Sequence, residues 1–343
     1  MHTKFILYEE KKMKRIFVAL SVFLLISCSN QSDNELNIYT SRQPQLLEPI
    51  IEDFYADTGI KVNLLSGNAQ ELMERIDIEG ENTSADIFMT VDAGVLWQAN
   101  ERGIFSEIES DILTNNIPTY LKDPNNNWFG FSKRARTIVY SSDEFSEDDF
   151  STYEDLADPK WKGRLCLRTS KKVYNRSLIA SMIDAYGFDK TKEVVSGWVS
   201  NLATEVFSND TNALKAVSSG QCGVTIVNTY YLARLLDDPD YSNLKIFWAN
   251  QNDRGVHVNI SGAGVVKSSK NKVNAVKLLE YLSSEEAQNF YASANKEYPV
   301  VEKVLIDESI RDWGEFVEDN INVAKLGELQ KEAVFLAQQT GYK

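Results

Sequence analysis

Along residues 36–102 the apolar positions switch between two periods. Leu36 to Tyr39, Lys61 to Leu65 and Asp86 to Val91 read as short strands. Between the first two, Leu46, Leu47, Ile50, Ile51, Phe54 and Tyr55 recur at the i, i+4 spacing of an amphipathic helix, predicted from Pro44 to a stop at Gly59. Leu72, Met73 and Ile76 mark a second helix over Ala69 to Gly80, and Ala93 to Arg102 a third. Asp92, just before the third helix, is placed to cap it. This β-α-β-α-β order predicts an α/β fold with a parallel sheet and right-handed crossovers.

Further on, Phe129 to Ser141 reads as one long strand, basic through Lys133, Arg134 and Arg136. Val256 to Val266 reads as another. Strands are expected at Leu165 to Leu167, Gly223 to Val227 and Leu244 to Trp248. Helices are expected at Tyr174 to Tyr186, Thr191 to Leu202, Ala213 to Ser219, Val273 to Leu282, Glu285 to Ala294, Asp312 to Glu318 and Leu326 to Gln339. The α/β units thus fall on both sides of two long strands. Two lobes joined by those crossing strands would form a hinged cleft. Tyr39 and Tyr140 read as core or cleft wall, and Tyr298 as packing near the hinge.

One stretch concentrates candidate chemistry. Cys222 to Arg234 reads as a buried strand, then Asn228-Thr229, two adjacent tyrosines, and a helix starting over Leu232 to Leu236. Strand-to-helix junctions are where α/β domains bind ligands. Tyr230 and Tyr231 are therefore either ligand groups or aromatic packing at a domain edge.

The net charge of −14 disfavours nucleic acid and anionic membrane surfaces as partners. At the N-terminus Lys11, Lys12, Lys14 and Arg15 precede an apolar run from Ile16 to Ile26, too short to span a bilayer, which reads as a secretory signal. Leu25-Ile26-Ser27-Cys28 resembles a bacterial lipobox. The expectation is a lipoprotein signal peptide over 1–27, lipidation at Cys28 and a polar tether over 28–35. Residues 1–27 carry five basic and two acidic side chains, so their removal takes the formal charge from −14 to −17.

Cys166 and Cys222 remain. Each lies eight residues before a tyrosine, Tyr174 or Tyr230. An exported protein favours a disulfide between them, easily made if their strands are neighbours; two separate buried thiols are the alternative. His257, the remaining histidine, reads as a hydrogen-bonded structural residue in a strand. A single imidazole excludes the usual His-rich zinc and copper sites. No phosphate loop, nucleophile elbow or zinc-protease motif occurs.

IYTSRQP (38–44), ADIFMTVDAG (85–94), WFGFSKRAR (128–136), VYNRSL (173–178), NTYY (228–231) and VNISGAG (258–264) together resemble the ferric-iron-binding periplasmic proteins of ABC transporters. The resemblance implies a two-lobed binding-protein fold with two mixed or parallel sheets flanked by helices. It implies an N-terminal lobe of 36–133 plus 258–310 and a C-terminal lobe of 134–257 plus 311–343. It implies a monomer that is not an enzyme, in the periplasm or at the cell surface, which passes Fe³⁺ to a permease. Tyr174, Tyr230 and Tyr231 are implied as iron ligands. Fe³⁺ prefers anionic oxygen and stabilises phenolates whose free pKa is about 10. One branch of the family adds a ligand from an Arg-His-Tyr stretch. Here Arg42-Gln43-Pro44 stands in its place, so this chain resembles the three-tyrosine branch, which completes the site with an anion such as carbonate. Arg42 and Arg134, with Gln43 behind them, are the anion candidates, because arginine offers a planar fork to such an ion. Arg136 and Arg168 rank below them. Rival readings are a receptor for an organic or oxyanion ligand that stacks on the tyrosines, an exported enzyme using Tyr or His257, and a lipoprotein that binds a protein partner.

Overall fold

A computed structural model describes residues 34–343, whose folded unit runs from Leu36 to Lys343. The expected signal segment over 1–27, the lipidation site at Cys28 and most of the tether lie outside the described residues. Among the described residues no helix is long and apolar enough to cross a membrane.

The first α/β units are β1 (Glu35–Thr40), α1 (Glu48–Thr58), β2 (Lys61–Ser66), α2 (Ala69–Glu79), β3 (Ile87–Thr90) and α3 (Ala93–Glu101), followed by α4 (Asp111–Asn116). Asn68 caps α2 through Gln70 N and Glu71 N, and Asp92 caps α3 through Val95 N. The helix expected from Pro44 is broken. A short 3₁₀ turn covers Pro44–Leu46, Leu47 leaves helical geometry, and α1 begins after it. α4 carries little sequence signal beyond its capping residue Ser110.

β4 (Phe129–Ser141) is buried along almost its whole length. β5 (Leu165–Cys166), α5 (Val173–Tyr186), α6 (Phe188–Ser200), α7 (Asp210–Ser218), β6 (Val224–Asn228), α8 (Thr229–Ala233) and β7 (Leu244–Phe247) follow. The chain returns through β8 (Val258–Val265) and closes with α9 (Lys272–Leu282), α10 (Glu285–Asn295), α11 (Glu308–Arg311), α12 (Ala324–Glu328) and α13 (Gln330–Gln339). The helix expected over Asp312 to Glu318 is absent. There the chain turns at Asp312–Gly314 and then runs without a helix to Glu318, which bridges Val256. The helix expected over Leu326 to Gln339 is split at Leu329.

Two cores form. One gathers Ile38, Phe54, Phe88, Leu96, Phe129, Ile260 and Leu278. The other gathers Ile138, Trp161, Leu178, Trp198, Ile226 and Val258. The strands run in the order β2-β1-β3-β8-β4-β6-β5, with β7 also on β4. β1–β3 and β5–β6 pair in parallel, and β8 pairs antiparallel with β3 and β4. β4 belongs to both halves. Its residues up to Ala135 pair with β8, and from Arg136 onward it pairs with β6. β4 thus changes partner at Ala135–Arg136. Tyr298 packs there: it bridges Lys133 and meets Phe316 edge-on. After residue 311 the chain visits both cores, with Val323 and Leu326 in the first and Leu336 and Tyr342 in the second.

Candidate metal centre

Tyr174 lies in the first turn of α5, after a loop that is drawn back on itself. Asn175 Nδ2 donates to the Arg168 carbonyl at 2.7 Å and to Tyr342 Oη at 2.9 Å, and Ser170 Oγ donates to the Tyr342 carbonyl. Tyr230 and Tyr231 sit within α8, not ahead of a helix as the sequence reading had it. Asn228 keeps extended geometry as the last residue of β6, the helix begins at the next residue, and the Asn228 side chain, engaged by Arg136, does not cap it. The two rings lie 4.4 Å apart, tilted by 34°. A disulfide joins Cys166 at the end of β5 to Cys222 just before β6, with Cα atoms 5.9 Å apart, so the two tyrosine-bearing segments begin from one covalent anchor.

All three tyrosines line one cavity of about 160 Å³, shared with Arg42, Gln43, Val91, Arg134, Ser261 and Glu297. Larger concavities of about 600 Å³ near Trp97 and 490 Å³ near Phe316 exist, but no such set of phenols meets there. The small cavity suits an ion with a few small ligands, since one water occupies about 30 Å³ in the liquid. Among the described residues no group of three His, Cys, Asp or Glu side chains is arranged to hold a metal. Phenols are therefore the candidate donors.

Burial pushes the Tyr174 phenol above its ordinary pKa, and Arg134 and Arg168 work against that rise. Burial drives Tyr230 well above its ordinary value, and Tyr174 and Tyr231 add to the effect. The Arg134 and Arg168 guanidinium carbons lie 5.3 and 5.1 Å from the Tyr174 ring centroid. Arg234, not among the arginine candidates, stands 5.0 Å from that of Tyr230. Burial thus favours the protonated form of Tyr174 and Tyr230, with cations already in place for the anions that would form.

The arginines divide. Arg42 is 2% exposed and paired with Glu297 at 2.7 Å; it also donates to Ser261 Oγ at 2.8 Å. Its charge is largely matched inside the protein. Arg134 donates to the Val91 carbonyl and to Ser261 Oγ and faces the tyrosines. Gln43 lines the cavity while its Oε1 accepts from Gln45. Arg136 lies outside the cavity lining, buried against Asp210. Glu297 and Ser261 were not singled out from the sequence. Ser261 sits inside the VNISGAG stretch, whereas nothing local marks Glu297. Asp92 does more than cap: its Oδ2 accepts from Ser177 of α5 and Asn259 of β8, both at 2.8 Å. His257 is buried, but its hydrogen bonds run through its backbone to Tyr153 and Arg136. The ring Nδ1 has no partner, contrary to the expected hydrogen-bonded imidazole.

Residues 39–289 match the model for the bacterial extracellular solute-binding proteins. The chain belongs to this family. It is 43% identical to iron uptake protein A1 of Synechocystis sp., over 97% of this chain and 99% of that protein. A Trichodesmium protein in complex with iron and citrate ligands superposes with a TM-score of 0.87 at 44% identity, covering 90% of this chain and all of the other. A ferric binding protein from Campylobacter jejuni superposes at 0.84 with 36% identity, again over 90% of this chain and all of the other. The fold is the two-lobed one of these binding proteins.

Proposed function

We propose that this protein captures ferric iron outside the cytoplasm and delivers it to an ABC permease, acting as a receptor and not an enzyme. The observation that carries this reading is the set of three tyrosines from two chain segments around one small cavity flanked by arginine. Tyr174, Tyr230 and Tyr231 bind Fe³⁺ as phenolates. Their three charges balance the ion, and half of an octahedral shell stays open for an anion or water. Binding releases protons, because the buried phenols start neutral. The synergistic anion, carbonate or a small carboxylate, sits toward Arg134, with Arg42 and Gln43 behind it. The Trichodesmium relative, in complex with iron and citrate ligands, supports iron held together with a carboxylate anion. The two lobes close around the ion and open for release by hinging at β4. The mature protein is a monomer held at the membrane by lipid on Cys28, in the periplasm or at the cell surface.

The test is a visible absorption titration of the purified mature protein with ferric citrate in bicarbonate buffer, beside Tyr230→Phe and Tyr231→Phe. The expected result is a broad phenolate-to-iron charge-transfer band that is lost or shifted in both variants. Omitting bicarbonate tests the anion. A folded, ligand-free protein with no band would overturn the assignment and leave an organic-ligand receptor in its place.

A further inference from the structure

A second layer of residues stands behind the tyrosines, built on one arginine. Arg136 is 2% exposed and lies at the residue where β4 leaves β8 for β6, directly opposite Asn228 in the strand register. Its Nε donates to Asn175 Oδ1 at 3.0 Å, and one terminal nitrogen donates to Asn228 Oδ1 at 3.0 Å. The other donates to the Ile226 carbonyl at 2.9 Å, and Asp210, itself fully buried, balances the charge at 2.9 Å. Asp210 also accepts from the Asn228 backbone N–H at 3.2 Å. Asn175 follows Tyr174 and Asn228 comes two residues before Tyr230, so one guanidinium ties together both segments that present the phenols.

The chemistry fixes orientation as well as position. A guanidinium has donors and no acceptor, so an asparagine facing it must turn its carbonyl oxygen toward it. The Asn228 amide nitrogen is thereby aimed the other way, where Nδ2 donates to Tyr230 Oη at 3.3 Å. We propose that Arg136 is a positioning residue of the iron site, acting through Asn228 to supply a fixed hydrogen-bond donor to the Tyr230 oxygen. This rests on the ferric reading given above and adds to it a residue that touches no iron. A donor fixed on a ligating phenolate stabilises the oxygen's charge and orients its remaining lone pairs toward the cavity. Partners of this kind behind a metal ligand commonly change affinity by about 10- to 100-fold when removed.

The experiment compares iron-loaded wild type, Asn228→Ala, Arg136→Lys, Tyr230→Phe and the Asn228→Ala/Tyr230→Phe double variant. Removing the donor raises the energy of the phenolate electrons and narrows the charge-transfer gap. The expected result is a band moved to longer wavelength in Asn228→Ala and Arg136→Lys, with iron affinity lower by about 10- to 100-fold in a ferric citrate competition. The Asn228→Ala shift should vanish in the Tyr230→Phe background. A purely structural role would lower the melting temperature and leave the band in place. If Arg136→Lys does not fold, Asn228→Ala decides alone. A wild-type band and affinity in Asn228→Ala, or a shift that persists without Tyr230, overturns the proposal while leaving the three-tyrosine site standing. Absence of any band in wild type overturns both.

Discussion

Replacing Glu297 with Gln should expose how much the buried Arg42–Glu297 pair matters. Glu297 lines the tyrosine cavity and meets Arg42 at 2.7 Å, with both side chains almost wholly buried. Removing one partner of such a pair strands the other charge, at about 3–5 kcal/mol. Glutamine retains an acceptor for Arg42, which places this variant near the lower end, about 3 kcal/mol. Unfolding entropy of about 2.1 cal/mol/K per residue over roughly 310 residues makes 1 kcal/mol worth about 1.5 °C, so the melting temperature should fall by about 5 °C at pH 7. It should fall further if the first lobe melts alone. Acid provides an internal control. Burial alone would raise the Glu297 pKa, but the attraction and hydrogen bond of Arg42 outweigh it and hold the carboxyl below the usual 4.5. A depressed carboxylate stabilises the fold above its unfolded pKa and loses that contribution as pH falls through its folded value. The gap between wild type and Glu297→Gln should therefore be full at pH 7 and close below about pH 4.5. Arg42→Met combined with Glu297→Gln removes both charges and should recover most of the loss. The assay is thermal unfolding followed by circular dichroism across pH. The reasoning is refuted if Glu297→Gln melts within a degree of wild type, or if the double variant is no more stable than the single.

The Cys166–Cys222 bridge closes a loop of sequence separation 56, worth about 4 kcal/mol in the chain-entropy model. A Cys166→Ala/Cys222→Ala protein should melt lower than wild type and, unlike wild type, be indifferent to added reductant; equal melting would contradict the model. His257 is held neutral by burial and then by Arg254, Arg136 and Arg134, well below its ordinary 6.5. As pH falls below about 6.5 the unfolded chain takes up a proton that the folded one refuses, so stability drops by up to about 1.4 kcal/mol per pH unit until the folded pKa is reached. Urea midpoints measured between pH 7 and 5 should fall less steeply in His257→Leu than in wild type, and parallel slopes would show that His257 does not titrate as argued.

Much of the fold lay open in the chain because it depends on local periodicity. The apolar repeats of Ile50 and Phe54, and of Leu72, Met73 and Ile76, could satisfy only helices with one buried face. Phe129 to Ser141 read as one long strand despite Lys133, Arg134 and Arg136, but its burial along almost the whole length came only with the fold. Tyr230 and Tyr231 read from the chain alone as either ligand groups or packing, and Tyr174 joined them as a candidate only through the family resemblance. The early start of α8 and the helix-free path near Glu318 were hidden because they go with contacts to distant residues. Asn228 is claimed by Arg136, and Glu318 pairs with Val256. The same reason separates the arginines. Arg42, Arg134, Arg136 and Arg168 are alike in sequence, each a cation near a strand. Only folding gives Arg42 to Glu297 and Arg136 to Asp210 and leaves Arg134 turned toward the phenols. Residue types and spacings decide which groups are available and how the backbone is segmented. The neutralisation and orientation of each charge depend on partners 39 to 255 positions away, brought within hydrogen-bond reach only by the tertiary structure.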